Sequence, residues 1–411
     1  MQGAESLGQP AKIVKKRARL PNIYLVWVGK DTFLGITVTA KSEIFVASKF
    51  KTCPNSPRKL YLTFLPFKPM QTDTSPSAQA MQSTENGLFF IVGCGRSGTT
   101  LLQVMLDSHS DIALPNETHF YSVFFRRKKG KYGQMDSPEL LESALDEVMQ
   151  IDHFRAFGVE KAQVLAYAQS QKPSWETLFL ALMTAFRVSR NVQKVGKKTP
   201  SHLGYLWDLY TKFPDAKFIH VIRDPRAVLL SYLKAPFYKN FGKNPFHAMN
   251  AWRNAADIHF DAVGRIDPKR YTTVRYEDLV SKPKEELERL CGFLEVPFQE
   301  SMLEYHKRSY SGFLEAETHK LGTLQPVYTG SLDKWKEQLS PQNIELLEAF
   351  AGDRMTKLGY EITAKPTPKL NAQLKFLFLS YKTRVRFRRL KQMVGLAPVS
   401  DLGGVAEAKE S

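Results

Sequence analysis

The sequence predicts an α/β protein: a P-loop-like, three-layer α/β/α domain around a central parallel sheet. Two observations carry this. Leu88 to Val92 is an unbroken apolar run that meets glycines at 93, 95 and 98, and Thr99 then opens a stretch with Leu101, Leu102, Met105 and Leu106 at helical spacing. That order is strand, glycine loop, helix. Further stretches that read as strands, at 195–200, 217–223 and 272–276, alternate with helical patterns after 203, at 245–264 and at 282–293. Strands alternating with helices pair in parallel through right-handed crossovers, which puts helices on both faces of the sheet.

Before the loop, residues 1–84 read as an N-terminal extension, β-prone or disordered. The fragments IYLVWVG, GITVTA, IFVAS and LYLTFLPF could pair as a small sheet, and a Pro-, Ser- and Thr-rich connection runs from Cys53 to Gln79. Met81 directly precedes the run into Leu88, so the functional protein is expected to begin at Met81 or Met70.

After the loop helix, Asp111 to Pro115 leads into Asn116-Glu117-Thr118-His119-Phe120, and the basic segment RRKKGKYG at 126–133 reads as a mobile surface loop. Helices are expected near 138–150 and 174–190, where Leu178, Leu182 and Phe186 recur at i, i+4, i+8. Val195 to Pro200 is a short strand ending in a turn, and Leu203, Leu206 and Tyr210 mark another helix. Lys217 to Arg223 is a second strong strand, after which Asp224-Pro225 supplies a helix cap and a first-turn proline. Residues 341–358 form a closing helix of the domain expected over 85–365. Beyond it, 366–411 is a basic helix and tail. In 374–394 Leu374, Phe378, Tyr381 and Val385 share a face among Lys375, Lys382, Arg384, Arg386, Arg388 and Arg389, which suits a membrane surface, an anionic polymer or docking on the domain.

Charge is uneven. Residues 1–80 carry 12 Lys+Arg against 4 Asp+Glu and residues 365–411 carry 10 against 3, leaving 36 against 34 between them. A nearly neutral middle argues against nucleic acid as a partner of the domain. Three scattered cysteines (Cys53, Cys94, Cys291) supply neither a disulfide framework nor a metal site and fit a reducing compartment. Cys94 fills a tight turn. No apolar run approaches the ~20 residues of a membrane span and no signal-peptide pattern opens the chain, so a cytoplasmic enzyme is expected.

The loop is built for a terminal anion. Glycines let its backbone approach a ligand, and the first N–H groups of the helix carry partial positive charge. A nucleotide triphosphatase loop starting at Gly93 would have lysine at position 99, where Thr99 stands. The cation is Arg96, followed by Ser97, Gly98, Thr99 and Thr100, a set that grips phosphate or sulfate without requiring Mg²⁺. Arg223 and Ser231, at the carboxyl edge of a parallel sheet and in the helix after it, fall beside that loop.

These residues resemble the sulfotransferases that use 3′-phosphoadenosine 5′-phosphosulfate (PAPS), whose 5′-phosphosulfate loop is a variant of R-S-G-T-T. RSGTTLLQVMLDSHSDIALPNETHF is similar to the same stretch in tyrosylprotein sulfotransferases, and NETHF resembles the N-E-x-H-F segment of heparan sulfate 3-O-sulfotransferases. The resemblance runs over most of 86–360. It implies PAPS as cosubstrate with no metal, bound by Arg96 to Thr100 at its 5′ end and by Arg223 and Ser231 at the 3′-phosphate, with Tyr276 near the adenine. It also implies Lys198 at the bridging oxygen, sharing leaving-group charge with Arg96, with Lys197 as a solvated neighbour. Glu117 is the candidate general base for in-line transfer to a hydroxyl (or amine) acceptor, be it carbohydrate, tyrosine peptide, lipid or small molecule, and His119 is the alternative base. Lys334 and Trp335 resemble a late segment that closes over the cofactor, although Gln325 stands where the family leads one to expect lysine.

Two rival functions use the same residues. A nucleotide or small-molecule kinase would take Thr100 as Mg²⁺ ligand and Asp224 as the acidic residue after a strand, against which the missing lysine at 99 counts. A non-catalytic anion-binding module would be recruited by its basic tails.

Overall fold

The computed structural model describes residues 23–29, 32–38, 44–51, 75–235, 238, 244–307, 322–363 and 367–393. Two compact units divide the chain, Met1–Thr72 and Asp73–Ser411. In the first, β1 (Ile23–Gly29), β2 (Thr32–Val38) and β3 (Ile44–Lys51) pair antiparallel in that order. The run LYLTFLPF, Cys53, Met70 and residues 394–411 lie outside the described residues.

The second unit opens earlier than the sequence indicated. Residues 76–79, expected in a connection, start helix α1 (Pro76–Gly87), which Ser75 caps by accepting the Ala78 N–H at 3.2 Å. Ala78, Met81 and Thr84 are buried, and Arg187 donates to Thr84 Oγ1 at 2.8 Å and to the Ala80 carbonyl at 3.5 Å. A boundary at 84/85, or a start at Met81, would cut through a helix already packed into the core.

The sheet that follows is wholly parallel. Its strands β4 (Leu88–Gly93), β5 (Ile112–Ala113), β6 (Lys194–Lys198), β7 (Lys217–Ile222) and β8 (Tyr271–Arg275) lie in the order β5-β6-β4-β7-β8. All of β4 is buried, and its alternate residues serve opposite layers. Phe90 stacks on Phe218 and Phe179 (centroids 5.3 and 5.9 Å), while Phe89 and Ile91 join Leu102, Ile219, Val274 and Leu287 on the other face. β4 thus lies between two cores, and its carboxyl end is where the glycine loop begins.

Helix α2 (Thr99–Leu106) leaves that loop. Between β5 and β6 the chain makes a π-helical turn, Phe120–Phe125, and helices α3 (Arg126–Tyr132), α4 (Pro138–Met149), α5 (Asp152–Arg155), α6 (Lys161–Ala168) and α7 (Trp175–Arg190). The basic segment at 126–133 is therefore helical: Lys128 and Lys131 both pair with Glu147 of α4, and Tyr132 is buried. Helix α8 (Leu206–Lys212) precedes β7. Helices α9 (Pro225–Lys234) and α10 (Pro245–Arg265) link β7 to β8, after which come α11 (Tyr276–Ser281), α12 (Pro283–Leu294), α13 (Lys334–Gln338), α14 (Pro341–Lys357) and α15 (Pro368–Met393). Tyr276, expected in a strand, is the first residue of α11. Helix α15 starts six residues before the expected 374, at a proline whose missing N–H costs a first turn nothing. Among the described residues no helix is long and apolar enough to cross a membrane.

Candidate active site

The loop from Gly93 to Gly98 turns from β4 into α2 through two left-handed residues, Arg96 (φ 68°) and Gly98 (φ 96°). A Cβ at Gly98 would strike the Tyr276 ring, so a side chain is excluded there on both strain and space. The left-handed Arg96 is held by what it touches. Its Nε donates to Ser231 Oγ at 3.0 Å, and its carbonyl accepts from Arg223 Nη1 at 3.1 Å. Burial lowers the Arg96 guanidinium from its ordinary value, though an arginine remains charged.

Arg223 follows β7, and the elements around it fix its direction. Its carbonyl accepts from Trp252 Nε1 at 2.8 Å, and its guanidinium lies 4.1 Å from the Tyr276 ring centroid. Asp224 caps α9 and is paired with Arg226 at 2.7 Å, while Arg226 also reaches Glu348 of α14 at 2.9 Å. Glu277, pushed up chiefly by burial, accepts the Asp224 N–H at 2.8 Å. Asp224, the acidic residue of the kinase reading, is thus paired within the fold. Sequence reasoning did not assign Arg226, Glu277 or Glu348; Glu277 stood beside Tyr276, but its partner lies 53 residues away.

These residues face a cleft of about 360 Å³ lined by Arg96, Thr99, Thr100, Arg223, Ser231 and Tyr276 on one side and by Gln325 to Tyr328 on the other. Arg223 Nε, in the wall of this cleft, is a buried polar atom with no hydrogen-bond partner among the described residues, as is Ser97 Oγ within the loop. Buried polar groups are nearly always satisfied, so such orphans mark where a ligand's oxygens fit. The Gln325 carbonyl accepts from Tyr305 OH at 2.5 Å, tying the far wall to the domain. The late segment contributes through 325–328. Trp335 instead packs 3.9 Å from the Arg226 guanidinium, and Lys334 stands over Tyr328 at 5.5 Å.

Beside Thr100 lies a buried ion pair. Lys198, with a side chain 1% exposed, donates to Glu117 Oε2 at 2.5 Å and lies 3.4 Å from Thr100 Oγ1. His119 Nε2 stands 3.6 Å from the other Glu117 oxygen, and its Nδ1 is 3.5 Å from both Ser122 Oγ and Ser201 Oγ. Lys197 is not solvated: it is fully buried, donates to the Asn116 carbonyl and lies 5.1 Å from the Phe157 ring. Strand alternation sends the two lysines of β6 to different partners. His202, buried and held well below its ordinary value by desolvation first and Lys197 next, accepts the Tyr121 N–H at 3.4 Å. Cys94 is also buried, and desolvation raises its thiol to about 12, consistent with a filler of the turn. The arrangement can hold a doubly anionic ligand and, at one end of it, present a carboxylate beside a cation.

The sequence model of the Sulfotransferase family matches residues 89–300. The Drosophila melanogaster protein-tyrosine sulfotransferase is 25% identical over 289 residues, 69% of this chain and 53% of the relative, so the chain spans about half of that relative's length. Human protein-tyrosine sulfotransferase 1 is 27% identical over 302 residues, 69% of this chain and 74% of the relative. Among solved structures, the sulfotransferase domain from the curacin biosynthetic pathway has 24% identity and a TM-score of 0.49, covering 67% of this chain and 99% of its own.

Proposed function

The chain belongs to the sulfotransferase family, and we propose that it moves a sulfuryl group from PAPS to a hydroxyl or amine acceptor and releases 3′-phosphoadenosine 5′-phosphate. The observation that carries this reading is the cleft in which Arg96, Arg223 and Ser231 meet, with the buried Arg223 Nε unsatisfied. Arg96 to Thr100 hold the 5′ end, Arg223 and Ser231 the 3′-phosphate, and Tyr276 borders the base. PAPS supplies the activated sulfuryl group; the protein supplies position and charge. Glu117 accepts the acceptor's proton as its oxygen attacks in line. Lys198, already between Glu117 and Thr100, meets with Arg96 the negative charge that gathers on the departing phosphate. The relatives are named for protein tyrosine, so a tyrosine peptide is the first acceptor to offer.

Calorimetric titration of the whole chain with 3′-phosphoadenosine 5′-phosphate, beside ATP and ADP without Mg²⁺, tests the donor site. The bisphosphate is expected to bind preferentially and Arg223→Ala to weaken it. Failure of the bisphosphate to bind, with ATP binding only when Mg²⁺ is present, removes the reading.

A further inference from the structure

We propose that helix α15 seats the protein on the surface of an anionic phospholipid membrane. The helix has two apolar stripes, one docked on the domain and one largely exposed. Leu370 is buried and Leu374, Leu377 and Tyr381 are half-buried against α10 and α14. Tyr381 lies 5.4 Å from Phe246, and Asn244 Nδ2 donates to the Leu377 carbonyl at 3.3 Å and to Ser380 Oγ at 2.9 Å. Docking therefore accounts for one stripe.

The other stripe faces water. Phe376, Leu379 and Phe387 are 71%, 64% and 59% exposed. At 3.6 residues per turn they fall within a strip about 80° wide, turned away from the docked side chains. Every exposed phenylalanine among the described residues lies on this helix. Lys375, Lys382 and Arg386 border the strip on one side and Arg384 borders it on the other, all of them exposed. The helix carries eight Lys+Arg, and no Asp or Glu occurs between Glu361 and Asp401.

Charge complementarity names the occupant. Eight cations without an acid repel a cationic surface and attract an anionic one, at roughly a fivefold gain in binding per basic residue near an anionic leaflet. A polyanion would need the cations alone. Large apolar side chains between basic flanks add what a lipid boundary can use: they enter the acyl region while the flanking lysine and arginine stems reach back to the headgroups. The helix is about 39 Å long, and its first half, Leu370 to Tyr381, packs on α10 and α14, which leaves its exposed stripe to rest on a bilayer rather than cross it.

The test is sedimentation of the full chain with phosphatidylcholine vesicles, with and without phosphatidylserine. Binding is expected only with phosphatidylserine, and to fall at ~1 M salt, where the Debye length is about 3 Å. Lys375→Gln/Lys382→Gln/Arg386→Gln is expected to weaken it about a hundredfold, and Phe376→Ser/Leu379→Ser about tenfold or more. Both variants change only exposed side chains, so their melting temperatures and nucleotide affinity should match the parent. Absence of binding to phosphatidylserine vesicles overturns the proposal. So does a Phe376→Ser/Leu379→Ser variant that binds vesicles and heparin as the parent does, because the helix would then be an electrostatic polyanion contact.

Discussion

Replacing Arg226 by methionine removes the one cation between two carboxylates. Arg226 is 5% exposed at its side chain, Asp224 11% and Glu348 0%. Its guanidinium takes three roles at once: a paired contact with both Asp224 oxygens at 2.7–3.3 Å, a bond to Glu348 at 2.9 Å and another to the Glu361 carbonyl at 3.1 Å. Methionine retains much of the packing on Trp335 but leaves both buried acids without their arginine, Glu348 keeping its bonds from Thr363. Breaking a buried ion pair from one side costs about 3–5 kcal/mol, which for a unit of this size, Asp73–Ser411, lowers Tm by roughly 4–7 °C. Thermal unfolding at neutral pH reads this directly. Adding Asp224→Asn and Glu348→Gln should restore most of the loss, since no buried charge would then be stranded. Because Asp224 follows Arg223 and caps α9, the single variant should also bind the 3′,5′-bisphosphate more weakly, and the triple variant less so. A single variant that melts within about 2 °C of the parent would refute the argument that this triad fixes the end of β7.

Glu117→Gln should keep bisphosphate affinity and lose turnover by about 10²–10⁴, read as kcat at saturating donor; unchanged turnover takes Glu117 out of the mechanism. His220, buried against Tyr271 OH at 2.7 Å, is held down to about 3 by desolvation first and His259 next. The unfolded chain therefore binds a proton that the folded one refuses. Stability is present above about pH 6.5 and lost as pH falls, by about 2 kcal/mol at pH 5 from this residue. His220→Phe should flatten that part of the Tm–pH curve, with Tyr271 OH still served by His259 at 3.1 Å; an unchanged slope assigns the acid sensitivity elsewhere. A chain started at Asp73 should keep the stability of the larger unit. One started at Met81 should lose about 2 kcal/mol or more, through the Ser75 cap and the Arg187 bond to Ala80, and equal melting of the two would contradict the packing of α1.

The sequence by itself determined what is local. The glycine loop is written in contiguous residues, so its strand, turn and helix, the anion it suits and the absence of a lysine at 99 are legible without a neighbour. Asp224-Pro225 sets where α9 begins, and Ser231 follows Arg223 by two helical turns, close enough for chain geometry alone to bring both to one edge. Only the tertiary structure decided the rest, because burial and pairing are properties of what packs from elsewhere in the chain. Lys197 and Lys198 are neighbours in sequence with the same chemistry; the pleat sends one to Asn116 and the other to Glu117, 81 residues back in each case. Met81 could pass for a start until α7 was seen to cover it. Helix α15 showed one apolar face to a periodicity argument, and the contacts with α10 and α14 divided it into a docked stripe and an exposed one. Arg226, Glu277 and Glu348 carried no motif, since their meaning arises from charges that meet only when β7, α11 and α14 come together.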